Sequence, residues 1–274
     1  MRRALAIAID AFYRFLADDG WAIASHIALS ALMAMFPFLI LVAALAAFLG
    51  SRRLPDEVAN LLLDTWPKEV AEPIGREVHR VLSSARGDVL TISAVSSVYF
   101  ASSGVESLRI GLNRAYDAVE SRNWFLLRLE SIAYVLLGAI AILALAFLIV
   151  LGPLLFSAAL KFAPWLGPLE ATITFWRYAV ATIAIVVALF VAHKWLPAGR
   201  REFREIAVGI LVTLVMWLAG GILFGRYLAN FAFTYVTYYA GLASAMMALV
   251  FLYLTAAIFM YGGELNSAIW GPRR

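Results

Sequence analysis

No cysteine occurs among the 274 residues, which excludes a disulfide framework, thiolate chemistry and Cys-ligated metal. Histidine is almost as scarce: His26, His79 and His193 stand alone and far apart. A zinc hydrolase needs clustered His and carboxylate ligands, and no such cluster exists in the sequence. No glycine-rich loop ends in Gly-Lys, as a Walker nucleotide site does, and no serine sits in a G-x-S-x-G elbow. Charge is thin as well, at 15% Asp, Glu, Lys and Arg against roughly 25% in ordinary soluble domains. These absences leave no visible enzymatic machinery, and neither a metal site nor a cofactor is expected.

What replaces the missing polarity is apolar surface. Hydrophobic residues make up 64% of the chain, and charge-free windows cover 20–51, 89–105, 131–160, 178–193, 206–225 and 227–263. A bilayer core of about 30 Å asks for roughly 20 apolar residues per helix. The chain therefore reads as an all-α polytopic membrane bundle, a single integral membrane domain over 1–274. A soluble enzyme, a nucleic-acid-binding domain and a secreted disulfide fold are excluded. Six spans are expected, at about 22–50, 89–110, 131–160, 174–196, 206–228 and 241–268. The Tyr- and Phe-rich stretch NFAFTYVTYYAG (230–241) reads as an interfacial connection carrying an aromatic belt. Pro37 lies mid-span and is expected to free a carbonyl and kink that helix.

Residues 1–19 begin like a signal peptide, but Asp10, Arg14, Asp18 and Asp19 interrupt the apolar run and no small-residue cleavage site follows. Arg3, Asp10, Arg14 and Asp18 share one helical face, and Leu5, Ile9, Phe12 and Leu16 the opposite one. Over 1–20 this predicts an amphipathic helix, either in the membrane interface or packed on the protein's own core. Pro55 and Pro67, each followed by acidic residues, start two short helices in 52–88, a small extramembrane cap. Net charge is +4. Thirteen Lys and Arg fall in 1–20, 106–130, 194–205 and 271–274, against nine on the other side. By the positive-inside bias both termini are cytoplasmic.

The second span is unusually polar. Tyr99, Ser102, Glu106, Arg109, Asn113 and Tyr116 recur at spacings of three and four, one helical stripe that should not face hydrocarbon. Two readings stand: a wet substrate path, or hydrogen bonding to neighbouring helices. Near the end of the sixth span Glu264 follows Gly262 and Gly263, in YGGELNSAIWG. The two glycines read as a helix break like Pro37, or as a tight crossing. The acid could pair with Arg109 or Arg114, or hold a proton or cation. Gly221 and Gly225 form a GxxxG packing signal.

Three stretches, HIALSALMAMFPFLI, ASSGVESLRIGLNRAYD and YYAGLASAMMALVFLYLTAAIFMYGGELNSA, resemble the YihY/BrkB family of bacterial inner-membrane proteins. With the spacing of six spans they cover nearly the whole chain. Phe251 stands where tryptophan is common in that family. The resemblance implies a six-helix protein of the bacterial inner membrane with cytoplasmic termini, and links to serum resistance and envelope integrity. Its motif residues fall on Arg109, Asn113, Arg114, Gly263, Glu264 and Asn266. Members have been called ribonuclease BN, a label that requires metal-dependent hydrolysis, for which three scattered histidines offer no ligands.

The expected function is that of a transporter or lipid-translocating protein for an amphipathic or ionic substrate, with membrane lipids as partners. The expected pathway residues are Ser102, Glu106, Arg109, Asn113, Arg114, Glu264 and Asn266, in which arginines hold an anionic headgroup and Glu264 couples to a cation or proton. The alternative is a non-transporting scaffold that uses the 52–88 cap to dock an envelope protein or a second copy. No nucleic-acid partner is expected.

Overall fold

A computed structural model describes residues 2–48, 87–146, 148–149, 152–239 and 242–271. Eight α-helices and no strand occur among the described residues: α1 (Arg2–Ala17), α2 (Gly20–Phe48), α3 (Gly87–Ala115), α4 (Trp124–Ala146), α5 (Gly152–Phe162), α6 (Glu170–Trp195), α7 (Phe203–Tyr239) and α8 (Ala243–Trp270). A 3-10 turn at Pro164–Leu169 joins α5 to α6. The fold class expected from composition is the one found. Among the described residues four segments are long and apolar enough to cross a membrane: Trp124–Ala141, Gly167–Trp195, Phe203–Asn230 and Ala245–Trp270. Helices α2 and α3 each run 29 residues, about 43 Å at 1.5 Å per residue. The cap expected over 52–88 lies outside the described residues as far as 86.

Where the helices stop has local causes. Asp19 adopts φ +57° between α1 and α2, a left-handed conformation that Asp tolerates through its short polar side chain. Asp117, at φ +55°, ends α3. Its N–H donates to the Arg114 carbonyl at 3.1 Å and the next N–H, of Ala118, reaches back to the Asn113 carbonyl at 2.8 Å. This double closure satisfies the orphan carbonyls of the last turn, as at a Schellman terminus.

Helix α8 is the hub of the bundle, packing on α7, α2, α1 and α3, while α2 and α3 form the most extensive pair and α3 also packs on α4. The core, with Phe15, Ile23, Leu112, Ile206, Phe259 and Met260 among its members, sits where these helices meet. One end of the bundle gathers four otherwise separate pieces. Arg14 reaches Ser267 at 3.4 Å, Arg114 reaches Asp19 at 3.0 Å, Asn113 accepts the Ala198 N–H at 2.6 Å and Asn266 bonds Tyr116 at 3.1 Å. The N-terminal helix, the turn after α3, the α6–α7 turn and the end of α8 therefore lie side by side.

Several expectations are corrected. Helix α2 continues through Pro37 without interruption, so the proline is not a helix break; the helix carries on beyond the missing N–H. Gly262 and Gly263 are not a break either, since α8 is helical through both. They are a crossing point. A β-carbon on Gly262 would collide with the Thr213 hydroxyl, and one on Gly209 of α7 with the Gly262 carbonyl. Gly221 and Gly225 face open space instead, so the GxxxG is not what joins α7 to α8. The Tyr- and Phe-rich stretch from 230 to 239 is not a connection but the last turns of α7, which at 37 residues is about 56 Å long. Within the apolar window 131–160, α4 runs to Ala146 and the residues from Gly152 onward are helical in α5.

Candidate functional site

Helix α1 buries one face and exposes another. Ala11, Arg14 and Phe15 are buried, Asp10 holds Arg14 at 3.0 Å, and the Tyr261 hydroxyl of α8 donates to the Ala8 carbonyl at 3.1 Å. The stripe Leu5, Ile9, Phe12 and Leu16, in contrast, is exposed. Part of the polar side thus packs inward and the apolar side looks out, which suits a helix whose surroundings are apolar.

This arrangement creates two recesses, one on either flank of α1. The first is an open groove of about 740 Å³ whose lining includes Ile9 and Phe12 of α1, Trp21 of α2, Val212 and Met216 of α7, and Leu254, Ile258 and Tyr261 of α8. Its volume is within the range of small-molecule sites, and its α7 and α8 walls belong to candidate membrane spans. The second, about 380 Å³, is bounded by Arg3, Asp10 and Arg14 together with Ile269 and Gly271 at the end of α8. One recess is apolar and the other charged, and consecutive residues of α1, Ile9 and Asp10, contribute to each.

Behind these recesses lies a buried polar layer. The Gly209 N–H donates to Asn266 Oδ1 at 2.6 Å, Asn266 Nδ2 donates to the Tyr116 hydroxyl at 3.1 Å, and that hydroxyl lies 2.9 Å from His193 Nδ1. The Arg201 guanidinium covers the Tyr116 ring at 4.0 Å, and burial lowers its pKa from the usual arginine value. Four segments are tied together here: α7, α8, the turn after α3, and α6. Glu264, two residues before Asn266 on α8, is 1% exposed.

The α3–α4 side carries ionic braces. Arg109, 2% exposed, donates to the Leu127 carbonyl at 3.0 Å and to Ser131 Oγ at 3.1 Å, and Glu106 lies 3.5 Å away. The same Glu106 accepts from Arg128 at 2.9 Å. In the following loop Arg122 contacts Glu120 at 2.7 Å and Glu130 at 2.9 Å and donates to the Leu196 carbonyl at 3.1 Å. The Arg122 hydrogen bonds hold the Glu120 carboxyl down to about 2. Three arginines thus face three glutamates, a balanced set that fixes α4 and the α6–α7 turn relative to α3.

The sequence-predicted residues do not line one wall. Ser102 is fully buried and donates to its own helix at the Tyr99 carbonyl, 2.9 Å away. Ser97, Ser103 and Ser107 likewise donate to carbonyls one turn back, so these hydroxyl protons are satisfied within α3. Arg109 and Glu106 turn to α4, Asn113 bridges Glu120 and the Ala198 N–H, and Arg114 meets Asp19 at the exposed α1–α2 turn. Only Asn266, with the Tyr116 of the stripe, belongs to the four-segment layer. Sequence reasoning missed His193, Arg201, Arg122, Glu120 and Arg128. Their one signal was position: His193 ends a charge-free window, and the other four lie in the charged stretches between windows. Among the described residues no three His, Asp or Glu side chains gather as metal ligands.

A family model for virulence factor BrkB matches residues 11–273. The chain belongs to the virulence factor BrkB family. This BrkB-family chain is similar to the ribonuclease-like protein YfkH of Bacillus subtilis (strain 168), 24% identical over 263 residues that cover 95% of this chain and 94% of YfkH. A UPF0761 membrane protein of Rhodospirillum centenum is 24% identical over 276 residues, covering 97% of this chain and 58% of that protein. A UPF0761 membrane protein of Coxiella burnetii is also 24% identical, covering 96% of this chain and 93% of its own length. No solved structure matches. The family assignment agrees with the resemblance read from the three sequence stretches.

Proposed function

We propose that this BrkB-family protein moves an amphipathic or ionic substrate, a membrane lipid first among them, across or within the bacterial inner membrane, and so supports envelope integrity. The observation that carries this reading is the pair of recesses astride α1. An apolar groove of about 740 Å³ suits an acyl chain, and a charged recess containing Arg3 and Arg14 suits a headgroup. An open apolar trough whose walls are membrane-spanning helices takes a lipid chain at low cost, because lipid is the surrounding solvent.

Within this reading the chain has six spans, with α2 and α3 as the first two, and both termini are cytoplasmic. The packing of α1 against the end of α8 supports an even number of crossings between them. Arg3 and Arg14 contact the headgroup and Glu264 and Asn266 stand behind the groove wall on α8. Ser102, Glu106, Arg109, Asn113 and Arg114 keep α3 in register with its neighbours, so that α1 and α8 can shift relative to a fixed frame. The protein acts as a carrier and not as a ribonuclease.

Reconstitution into liposomes tests the proposal. Fluorescent phospholipid placed in one leaflet is expected to reach the other faster than in protein-free vesicles. Equal rates for phospholipid and for small ions, with and without protein, overturn the reading.

A further inference from the structure

The polar layer contains a hydrogen-bond donor that its neighbours do not use. His193 is fully buried. Its Nδ1 lies 2.9 Å from the Tyr116 hydroxyl, its ring packs 4.7 Å from that of Phe259, and its Nε2 has no partner among the described residues.

The tautomer follows from the chain of bonds leading to it. A backbone N–H only donates, so the Gly209 N–H at 2.6 Å identifies the Asn266 atom it meets as the oxygen. The Asn266 NH2 group is then the one turned to Tyr116, donating to the phenol oxygen at 3.1 Å. If His193 Nδ1 also donated to that oxygen, the Tyr116 hydroxyl hydrogen and the Nε2 lone pair would both be left unmatched. If the hydroxyl donates to Nδ1, a single group is left, the Nε2–H. Fewer unmatched buried groups is the lower-energy arrangement, and it puts the ring proton on Nε2.

We propose that His193 Nε2–H is the donor of an internal site for one hydrogen-bond-accepting oxygen, supplied by water or by a lipid phosphate. An N–H without a lone pair cannot ligate a metal, which fixes the ligand as an acceptor. The Arg201 guanidinium over Tyr116 favours an oxygen of negative character nearby. Gly263 of α8 lies beside the ring: a β-carbon there would stand in ordinary contact with His193 Cε1 at 3.9 Å and press on Leu112 Cδ2 at 3.0 Å. Thr213 Oγ1, another fully buried atom without a partner among the described residues, abuts Gly262, the residue before Gly263 on α8. The site stands apart from the transport reading and survives if that reading fails.

With three histidines in the chain, nitrogen NMR of histidine-labelled full-length protein in phospholipid nanodiscs reads the site directly. The single variants His26→Gln and His79→Gln assign His193 by elimination. The expected result is a neutral His193 protonated at Nε2, with that proton shifted downfield by a hydrogen bond. Magnetisation transfer from water to Nε2–H identifies water as the ligand, and a nitrogen–phosphorus dipolar contact identifies a lipid phosphate. A ring protonated at Nδ1, or an Nε2–H at the free-amine position with neither contact, overturns the proposal. Asn266→Leu supplies a second measurement: without the amide donor on Tyr116 the tautomer is no longer fixed, and a mixture of both ring forms is expected.

Discussion

Asn266 accepts the Gly209 N–H at 2.6 Å, and the amide so oriented donates to Tyr116 at 3.1 Å. One side chain 1% exposed therefore locks α8 to α7 and to the turn after α3. Asn266→Leu removes both the second acceptor of the Gly209 N–H and the amide donor to Tyr116, a loss of about 1–3 kcal/mol. Asn266→Asp keeps that acceptor but cannot donate to Tyr116. Thermal unfolding of the detergent-solubilised protein is expected to rank wild type above the Asp variant and the Asp variant above the Leu variant.

The same crossing predicts unequal responses among the glycines of α7. At Gly209 an added β-carbon meets the backbone carbonyl of Gly262, which cannot swing away as a side-chain tip can. Gly209→Ala is expected to destabilise by about 1–3 kcal/mol or more. At Gly221 nothing lies within 4 Å, so Gly221→Ala removes only backbone freedom and is expected to be neutral or stabilising by about 0.5–1 kcal/mol. Melting temperatures of the two variants side by side decide the matter, and a larger loss at Gly221 would contradict the geometry.

Glu120 gives a pH dependence with a definite sign. Its folded-state pKa is about 2, below the ordinary 4.5, chiefly because of Arg122 hydrogen bonds. A depressed carboxyl stabilises the fold fully above its unfolded value and loses that contribution as pH falls through 4.5 towards 2. Glu120→Gln lacks it at every pH. The stability gap between wild type and Glu120→Gln is expected to be widest at about pH 7 and to narrow towards about pH 3. A gap that widens on acidification would show that the Arg122 contact is not what matters.

The bundle itself was legible because composition and long charge-free windows admit few alternatives. Positions where two distant segments meet were not. Gly221 and Gly225 satisfy a local motif, yet the contact falls on Gly209 and Gly262, whose pairing depends on which faces of α7 and α8 meet. The polar stripe of α3 was visible as a stripe, but its partners, Ser131 and Leu127 for Arg109 and Ala198 for Asn113, come from other helices and turns. His193 had no sequence signature, since a lone histidine at the end of an apolar run is commonplace.

Arg109 is the most constrained charge in the bundle: 2% exposed, with two neutral acceptors on α4 and one carboxylate on its own helix. Arg109→Ala removes the link between α3 and α4 and leaves a void the size of a guanidinium, a cost of about 3–5 kcal/mol. Arg109→Lys keeps the charge, but its compact ammonium lacks the planar fork that reaches three acceptors, so an intermediate loss is expected. Ser131→Ala, which removes one acceptor only, is expected to cost least. Unfolding of the three variants in one detergent tests the order.

The groove makes the final prediction, which separates a lipid seat from a mere surface irregularity. Met216 and Leu254 line it from opposite helices and are partly exposed to it, so a larger ring at either site fills the trough without entering the core. If the groove holds an acyl chain, wild-type protein carries lipid through detergent exchange and Met216→Trp and Leu254→Trp carry several-fold less, as counted by mass spectrometry. Ile222, exposed on α7 and not part of the groove lining, supplies the control: Ile222→Trp is expected to retain wild-type lipid. Melting temperatures of all three should stay near wild type, because exposed positions away from packed contacts change stability by about 0.5 kcal/mol or less. Equal lipid retention in the groove variants and the control would show that bound lipid sits elsewhere on the bundle and that the groove is not its seat.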